Sequence, residues 1–273
     1  MKKIFKIIKF ILSEPSNKNE KVKRLFYALG WQLWKRIVKK PVVIELDNGS
    51  KYIAYHNTPM GSFPIYAKIY DSEKILFLRK ALKAGGIMID VGANMGIYPL
   101  LLKNKFDFFI LFEPIKETAA ICEANLKLNK INYEMFEMAV GNETGKVGFS
   151  LKGDFDTTAK VNREGGNYFV SIDKLDNLIK KGYYEKISFM KIDVEGFELE
   201  VLKGAQNLIE KSSLSLIQFE RLKSTPLEPI LEFFKKRGWE IFALNDDGVP
   251  SFALEEIKKA HDLFAVRDSN FLK

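Results

Sequence analysis

Residues 87–98, Ile-Met-Ile-Asp-Val-Gly-Ala-Asn-Met-Gly-Ile-Tyr, restrict the fold more than any other stretch of the chain. A short apolar run passes through a loop with glycines at 92 and 96, and a helical pattern begins at Ile97. A buried strand that turns through glycine into a helix is the opening of a βαβ unit. The same alternation continues downstream. Phe108–Phe112, Tyr133–Val140, Ile187–Val194, Leu214–Phe219, Trp239–Leu244 and Leu263–Arg267 read as strands. Glu117–Leu128, Phe197–Ile209 and Pro226–Arg237 read as helices between them. Continuous apolar strands need cover on both faces, which predicts a doubly wound, mostly parallel α/β sheet. Val147–Leu151 and Val170–Ile172 are expected as short extra strands around a polar stretch at 152–168.

Ahead of this region the pattern differs. Val42–Leu46 and Lys51–Tyr55 flank Asp47-Asn48-Gly49-Ser50 and predict a β-hairpin. Residues 1–40 hold 12 Lys/Arg against Glu14 and Glu20, net +10, and the other 233 residues are net −2. The overall +8 therefore belongs to an arm and not to the main domain. Lys2, Lys6 and Lys9 share one face of a predicted helix. Phe26, Leu29, Leu33 and Ile37 follow helical spacing in a second helix, beside Trp31 and Trp34, which Pro41 ends. Two readings of the arm stand side by side: a basic amphipathic helix on an anionic membrane surface, or a helix docked on its own domain or a second subunit. No apolar run here reaches the length of a spanning helix or a signal-peptide core, so a cytoplasmic protein is expected, peripheral on the inner membrane face under the first reading. The resulting division is an arm at 1–41, a hairpin and loop at 42–70, and a core domain at 71–273.

Some chemistries drop out by counting. One cysteine, Cys122, makes neither an intrachain disulfide nor a Cys-based zinc site. Two histidines, His56 and His261, lie 205 positions apart and form no zincin pair.

In open α/β sheets ligands bind at the carboxyl ends of the strands. Gly92 and Gly96 are expected to let the backbone approach a ligand. Glu113 closes the next strand, 21 residues after Gly92, a spacing that suits a carboxylate on the two hydroxyls of an adenosine ribose. A nicotinamide dinucleotide or S-adenosyl-L-methionine fits this outline. A dinucleotide favours Gly-x-Gly-x-x-Gly under its pyrophosphate, and here Asn94 stands at the second glycine. Asp90 would repel a pyrophosphate and attract the ammonium and sulfonium groups of S-adenosylmethionine.

Five segments together resemble one family. They are Ile89–Gly96, Phe112-Glu113-Pro114, Ala139-Val140-Gly141, Ser171–Asp176 and Lys191-Ile192-Asp193-Val194-Glu195-Gly196-Phe197-Glu198. In this order and spacing they resemble the FkbM-type family of S-adenosylmethionine-dependent methyltransferases, over about Asp71 to Arg267. The resemblance implies a class I, Rossmann-like fold with a seven-stranded sheet. It also implies O-methylation of a hydroxyl on a sugar, polyketide or similar metabolite, here a surface-glycan or glycolipid precursor. It places Asp71, Asp90, Gly92, Asn94, Gly96, Glu113, Pro114, Ala139 and Asp193 at the cofactor. Asp156-Thr157-Thr158-Ala159-Lys160 departs from a family segment that carries an asparagine.

Methyl transfer to an alcohol needs a place for the acceptor's proton. Asp193 and Glu195, after one strand, and Glu220, after the next, are the candidates. Asp193 or Glu195 is expected as the base, with Glu220 holding the substrate. Asp193, Glu195 and Glu198 cannot all face the same way. His56 is a second candidate base, and Tyr66, Tyr70 and Phe155 are candidates for the acceptor pocket. The carboxylates are also oxygen donors of the kind Mg²⁺ takes, but no metal is assigned to them. Among competing functions, a nucleic-acid methyltransferase would use the basic arm on phosphates. Enzymes that methylate the amino groups of bases typically carry Asp/Asn-Pro-Pro-aromatic where this chain has Asp193-Val194-Glu195-Gly196, so no nucleic-acid partner is expected. A non-catalytic cofactor-binding scaffold is the other alternative.

Overall fold

A computed structural model describes residues 2–58, 60–151, 160–162 and 165–272. The arm is two helices, α1 (Lys2–Ser13) and α2 (Lys21–Ile37). The predicted hairpin follows as β1 (Val42–Glu45) and β2 (Lys51–Ala54), paired antiparallel. Two side chains of a later helix cap its outer edge, because Asn125 Oδ1 accepts from Ile53 N at 2.8 Å and Asn129 Oδ1 from Lys51 N at 2.7 Å. Helices α3 (Phe63–Tyr66) and α4 (Ser72–Ala81) lead into the core.

The core then alternates as read from the sequence: β3 (Ile87–Val91), α5 (Ile97–Leu101), β4 (Phe108–Phe112), α6 (Lys116–Leu128) and β5 (Tyr133–Phe136). A run of short strands comes next, β6 (Ala139–Val140), β7 (Gly145–Ser150), β8 (Lys160–Val161) and β9 (Tyr168–Asp173), then α7 (Leu175–Leu178). The chain returns through β10 (Ile187–Ile192), α8 (Glu198–Lys203), α9 (Gln206–Lys211), β11 (Leu216–Glu220), α10 (Glu228–Lys235) and β12 (Glu240–Leu244). It closes with β13 (Pro250–Ser251), α11 (Leu254–Lys259) and β14 (Asp262–Val266).

The main sheet runs β13-β12-β14-β11-β10-β3-β4-β5. The pairs from β11 to β5 are parallel, and β14 is antiparallel to both of its neighbours. The sheet has eight strands where seven were expected, the addition being the two-residue β13 at the edge. Every residue of β3 is buried because helices cover both faces. Met88, Phe109, Phe189 and Phe264 pack on one side with α4, α5, α6 and the arm. Ile89, Ile110, Ile192 and Phe219 alternate to the other, under α8, α9 and α10.

Two predicted elements are split. Tyr133–Val140, read as one strand, breaks at Met138, whose N–H bonds to Phe136 O at 2.9 Å. Beyond the break Ala139–Val140 joins a second sheet of order β6-β9-β7-β8, which the sequence reading did not foresee. Phe197–Ile209, read as one helix, is two. A Cβ at Gly204 would lie 1.9 Å from Gly141 O, so this point of the chain is pressed against the start of the second sheet.

The candidate cofactor and acceptor cleft

Leaving β3, the chain moves outward through β4 and β5, and it returns to the other side of β3 at β10. The carboxyl ends of β3 and β10 therefore diverge at a switch point, where open α/β sheets hold ligands. A cleft opens there, with Gly92, Asn94, Glu113, Pro114, Ala139, Asp193, Glu195 and Glu220 in its walls. The second sheet adds Val140, Phe149 and Val161, and Met60 and Tyr70 come from the segment before α4. Glu113, Asp193 and Glu220 stand at the ends of β4, β10 and β11. From the first to the last is three strand spacings, about 14 Å.

The glycine loop is shaped by the protein itself. Gly92 has φ 83°, and a Cβ there would lie 1.9 Å from Asp193 O. Gly96 has φ 78°, and its Cβ would meet Cys122 Sγ at 2.9 Å. Both glycines were expected to admit a ligand; Gly92 does line the cleft, while both also allow the loop to close against β10 and α6, and Gly96 is buried behind the cleft. Cys122 is buried core, as its helix position suggested.

Glu113 fastens this loop. Its Oε2 accepts from Asn94 N at 3.0 Å and its Oε1 from Ile115 N at 3.0 Å. Burial pushes its carboxyl up to about 7, against those two hydrogen bonds. An ionised carboxylate has about four acceptor positions, so about two remain, the number a ribose diol requires. Asp90 lies beneath the loop at 1% exposure, and its Oδ1 is buried with no hydrogen-bond partner. Burial raises it to about 6, with Lys191 Nζ 3.9 Å away acting in the other direction. An orphaned acceptor below a cleft suits an incoming donor such as an ammonium group.

At the other end the carboxylates are coupled. Lys191 Nζ is 2.8 Å from Asp193 Oδ2 and 4.7 Å from the centre of the Tyr98 ring. Burial alone would raise Asp193, but the Lys191 charge and hydrogen bond hold it below the usual range. Glu220 is pushed up to about 9, by burial first, then by the charge of Asp193 and a hydrogen bond to it. The two neighbouring carboxylates thus favour sharing one proton, Glu220 being the member whose pKa is raised, with His261 Nδ1 3.2 Å from its Oε1. Glu195 sits at φ 54° on the turn after Asp193. Glu198 holds that turn from inside, its Oε1 accepting from Gly196 N at 2.9 Å and from Val194 N at 3.3 Å. Asp193 and Glu195 line the cleft and Glu198 does not, so the three do not all face the same way. Among the described residues no group of three His, Cys, Asp or Glu side chains is arranged to hold a metal ion.

Some expected residues lie elsewhere. Asp71 is outside the cleft walls. Its carboxylate is 2.7 Å from Lys74 Nζ and accepts from the Tyr98 hydroxyl at 2.5 Å, one layer behind. His56 and Tyr66 line a separate hollow next to the arm, and Phe155 lies outside the described residues, as does 156–159. The sequence reading missed the polar layer under the cleft. Asp90, Lys191 and Gln218 stand in register across β3, β10 and β11, and Gln218 Nε2 donates to Tyr98 Oη at 3.0 Å. A lysine and a glutamine inside otherwise apolar strands were the available signal.

Taken together, the strand order, the switch-point cleft and the carboxylate at the end of the second strand define a Rossmann-like fold of the class I methyltransferase kind. Residues 90–241, more than half of the chain, match the Methyltransferase FkbM domain, and the chain belongs to that family. It is 26% identical to the hexuronic acid methyltransferase AglP of Haloferax volcanii, over 54% of this chain and 62% of that protein. It is 25% identical to methyltransferase sdnD of Sordaria araneosa, over 62% of this chain and 77% of that protein. Among solved structures, methyltransferase FkbM from Methylobacillus flagellatus KT aligns with a TM-score of 0.47 at 17% identity, over 71% of this chain and 47% of that one. The chain thus spans less than two thirds of AglP and about half of the solved chain.

Proposed function

We propose that this protein is an S-adenosylmethionine-dependent O-methyltransferase whose acceptor is a sugar hydroxyl of a glycan or glycolipid precursor. The observation that carries the reading is one cleft with a buried carboxylate at one end, Glu113, and two neighbouring carboxylates at the other, Asp193 and Glu220. The likeness to a hexuronic acid methyltransferase supports a sugar acceptor.

When bound, S-adenosylmethionine supplies an electrophilic methyl on a sulfonium. In this reading Glu113 takes the ribose hydroxyls, and Asn94, Pro114 and Ala139 form the walls beside it. Asp90 receives the ammonium group and balances the positive charge. Transfer of that methyl to the acceptor oxygen would break the carbon–sulfur bond and leave its electron pair on sulfur, so the chain itself would supply positioning and a place for the proton. The oxygen becomes acidic as the bond forms, so a weak base suffices. Asp193, ionised beside Lys191, accepts that proton. Glu220, itself protonated, keeps Asp193 oriented, and Glu195 at the lip engages neighbouring hydroxyls. The acidic side chains around the opening, Asp193 foremost among them as the ionised member of its pair, disfavour a nucleic-acid acceptor, whose phosphates they would repel.

The test is transfer of labelled methyl from S-adenosylmethionine to a panel of hexuronic acids and hexosides. Asp193→Asn should lower turnover roughly 100-fold or more, the usual scale of a lost general base. Turnover within twofold of the native chain would remove Asp193 from the mechanism. Absence of transfer to every hydroxyl acceptor, with cofactor bound, would favour a binding scaffold.

A further inference from the structure

Both helices of the arm are docked on one face and bare on another. In α2, Ala28 and Trp31 are buried, and Trp31 Nε1 donates to Ser62 Oγ at 3.0 Å. On the opposite side Val22, Phe26, Leu29, Leu33 and Ile37 form a single helical stripe, each between 50% and 77% exposed. In α1, Ile11 is buried, while Ile4, Ile8 and Leu12 form a second exposed stripe. Docking on the domain therefore accounts for only part of the arm's apolar surface. Contiguous apolar stripes of this kind mark an interaction face.

We propose that this face lies on an anionic lipid surface. No described helix is long and apolar enough to cross a membrane, so the geometry is that of helices lying in the interface with their apolar stripes immersed. The charge selects the occupant. Residues 1–40 carry net +10 and would be drawn to anionic headgroups, whereas pairing with the arm of a second copy would bring two such charges together. A hollow between the arm and the segment before α4 points the same way. It is lined by Lys6, Arg36 and His56, with no carboxylate in its walls among the described residues, and His56 Nδ1 is buried without a hydrogen-bond partner. The phosphate of a lipid headgroup suits that lining. The face is independent of the methyl-transfer reading and holds whatever the acceptor.

The experiment is co-sedimentation of the full chain with vesicles of phosphatidylcholine alone and with about 30% phosphatidylglycerol, at low and high salt. The native chain should bind the anionic vesicles at least tenfold better than the neutral ones, and salt should weaken it. The double variant Phe26→Glu/Leu33→Glu should lose at least tenfold of that binding with its circular dichroism unchanged. Should it fail to fold, Val22→Ser/Ile37→Ser carries the same expectation. Light scattering should give one mass for native and variant chains. The proposal is overturned if the native chain leaves anionic vesicles in the supernatant, or if a folded stripe variant binds them as well as the native chain. A native dimer that a stripe variant dissolves would assign the face to a second copy instead.

Discussion

Glu220 titrates near 9 where a free glutamate titrates near 4.5, because it is buried beside ionised Asp193. The folded chain therefore holds a proton between those two values that the unfolded chain has released. Stability contributed at this site falls as pH rises through that window. Glu220→Gln should relieve the cost: its melting temperature should exceed that of the native chain at pH 8 and approach it below pH 5, by roughly 2–4 °C per kcal/mol relieved. The same variant keeps a neutral donor beside Asp193, so it should stay active, and the native fall in kcat/KM above about pH 9 should vanish from its profile. A variant no more stable at pH 8 than the native chain would contradict the shared proton. Glu113 gives a second pH effect. Its carboxyl is raised to about 7, so affinity for an adenosyl ligand should weaken as pH falls from 8 to 6, measurable by titration calorimetry. Both residues were legible as acids at strand ends. Their coupling was not, because Asp193 and Glu220 meet only when β10 and β11 pair, and the Lys191 counter-ion hides inside an apolar strand. Gly92 was legible as a special position, and the Asp193 carbonyl pressed against it is a further reason that the sequence did not show. Gly92→Ala puts a methyl into the Asp193 carbonyl, and should cost about 2–4 kcal/mol by denaturant unfolding.

Helix periodicity located the arm's helices and the stripe on α2, but periodicity does not say which way a stripe points. Trp31 and Ala28 are the buried residues of α2, and they leave the longer stripe outward. Docking also depends on Asn17, a residue no pattern marked. It is fully buried; its Nδ2 donates to Ile11 O at 3.0 Å and Tyr66 O at 2.8 Å, and its Oδ1 accepts from Lys68 N at 2.8 Å. Asn17→Ala orphans three backbone groups and should cost about 2–4 kcal/mol. Limited proteolysis should then cut within the arm first, leaving the core intact. Cleavage at the native rate would show that the arm is held by its apolar contacts alone. The splitting of Phe197–Ile209 was illegible for a similar reason. Gly204 reads as a tolerated helix glycine until β6 is brought against it.

At the scale of the molecule, the doubly wound sheet was legible because each strand is a short apolar run between helical segments. The antiparallel β14 and the second sheet were not, since pairing direction and a two-residue strand leave no periodic signal. What the topology does for function is plain in the strand order: the chain leaves β3 in one direction and returns in the other, and the acids at the ends of β4, β10 and β11 converge on the gap. The charge divides along the same lines, with a basic arm and an acidic cleft. The central claim is that this gap holds S-adenosylmethionine through Glu113 and Asp90. Calorimetric titration with S-adenosylmethionine and S-adenosylhomocysteine tests it most directly, on the native chain and on Glu113→Ala and Asp90→Ala. The account predicts micromolar binding of both ligands by the native chain, weakened roughly 10–100-fold or more in each variant, the scale of a lost charge-assisted hydrogen bond. Native affinity retained in folded Glu113→Ala, or no binding by the native chain, would contradict it.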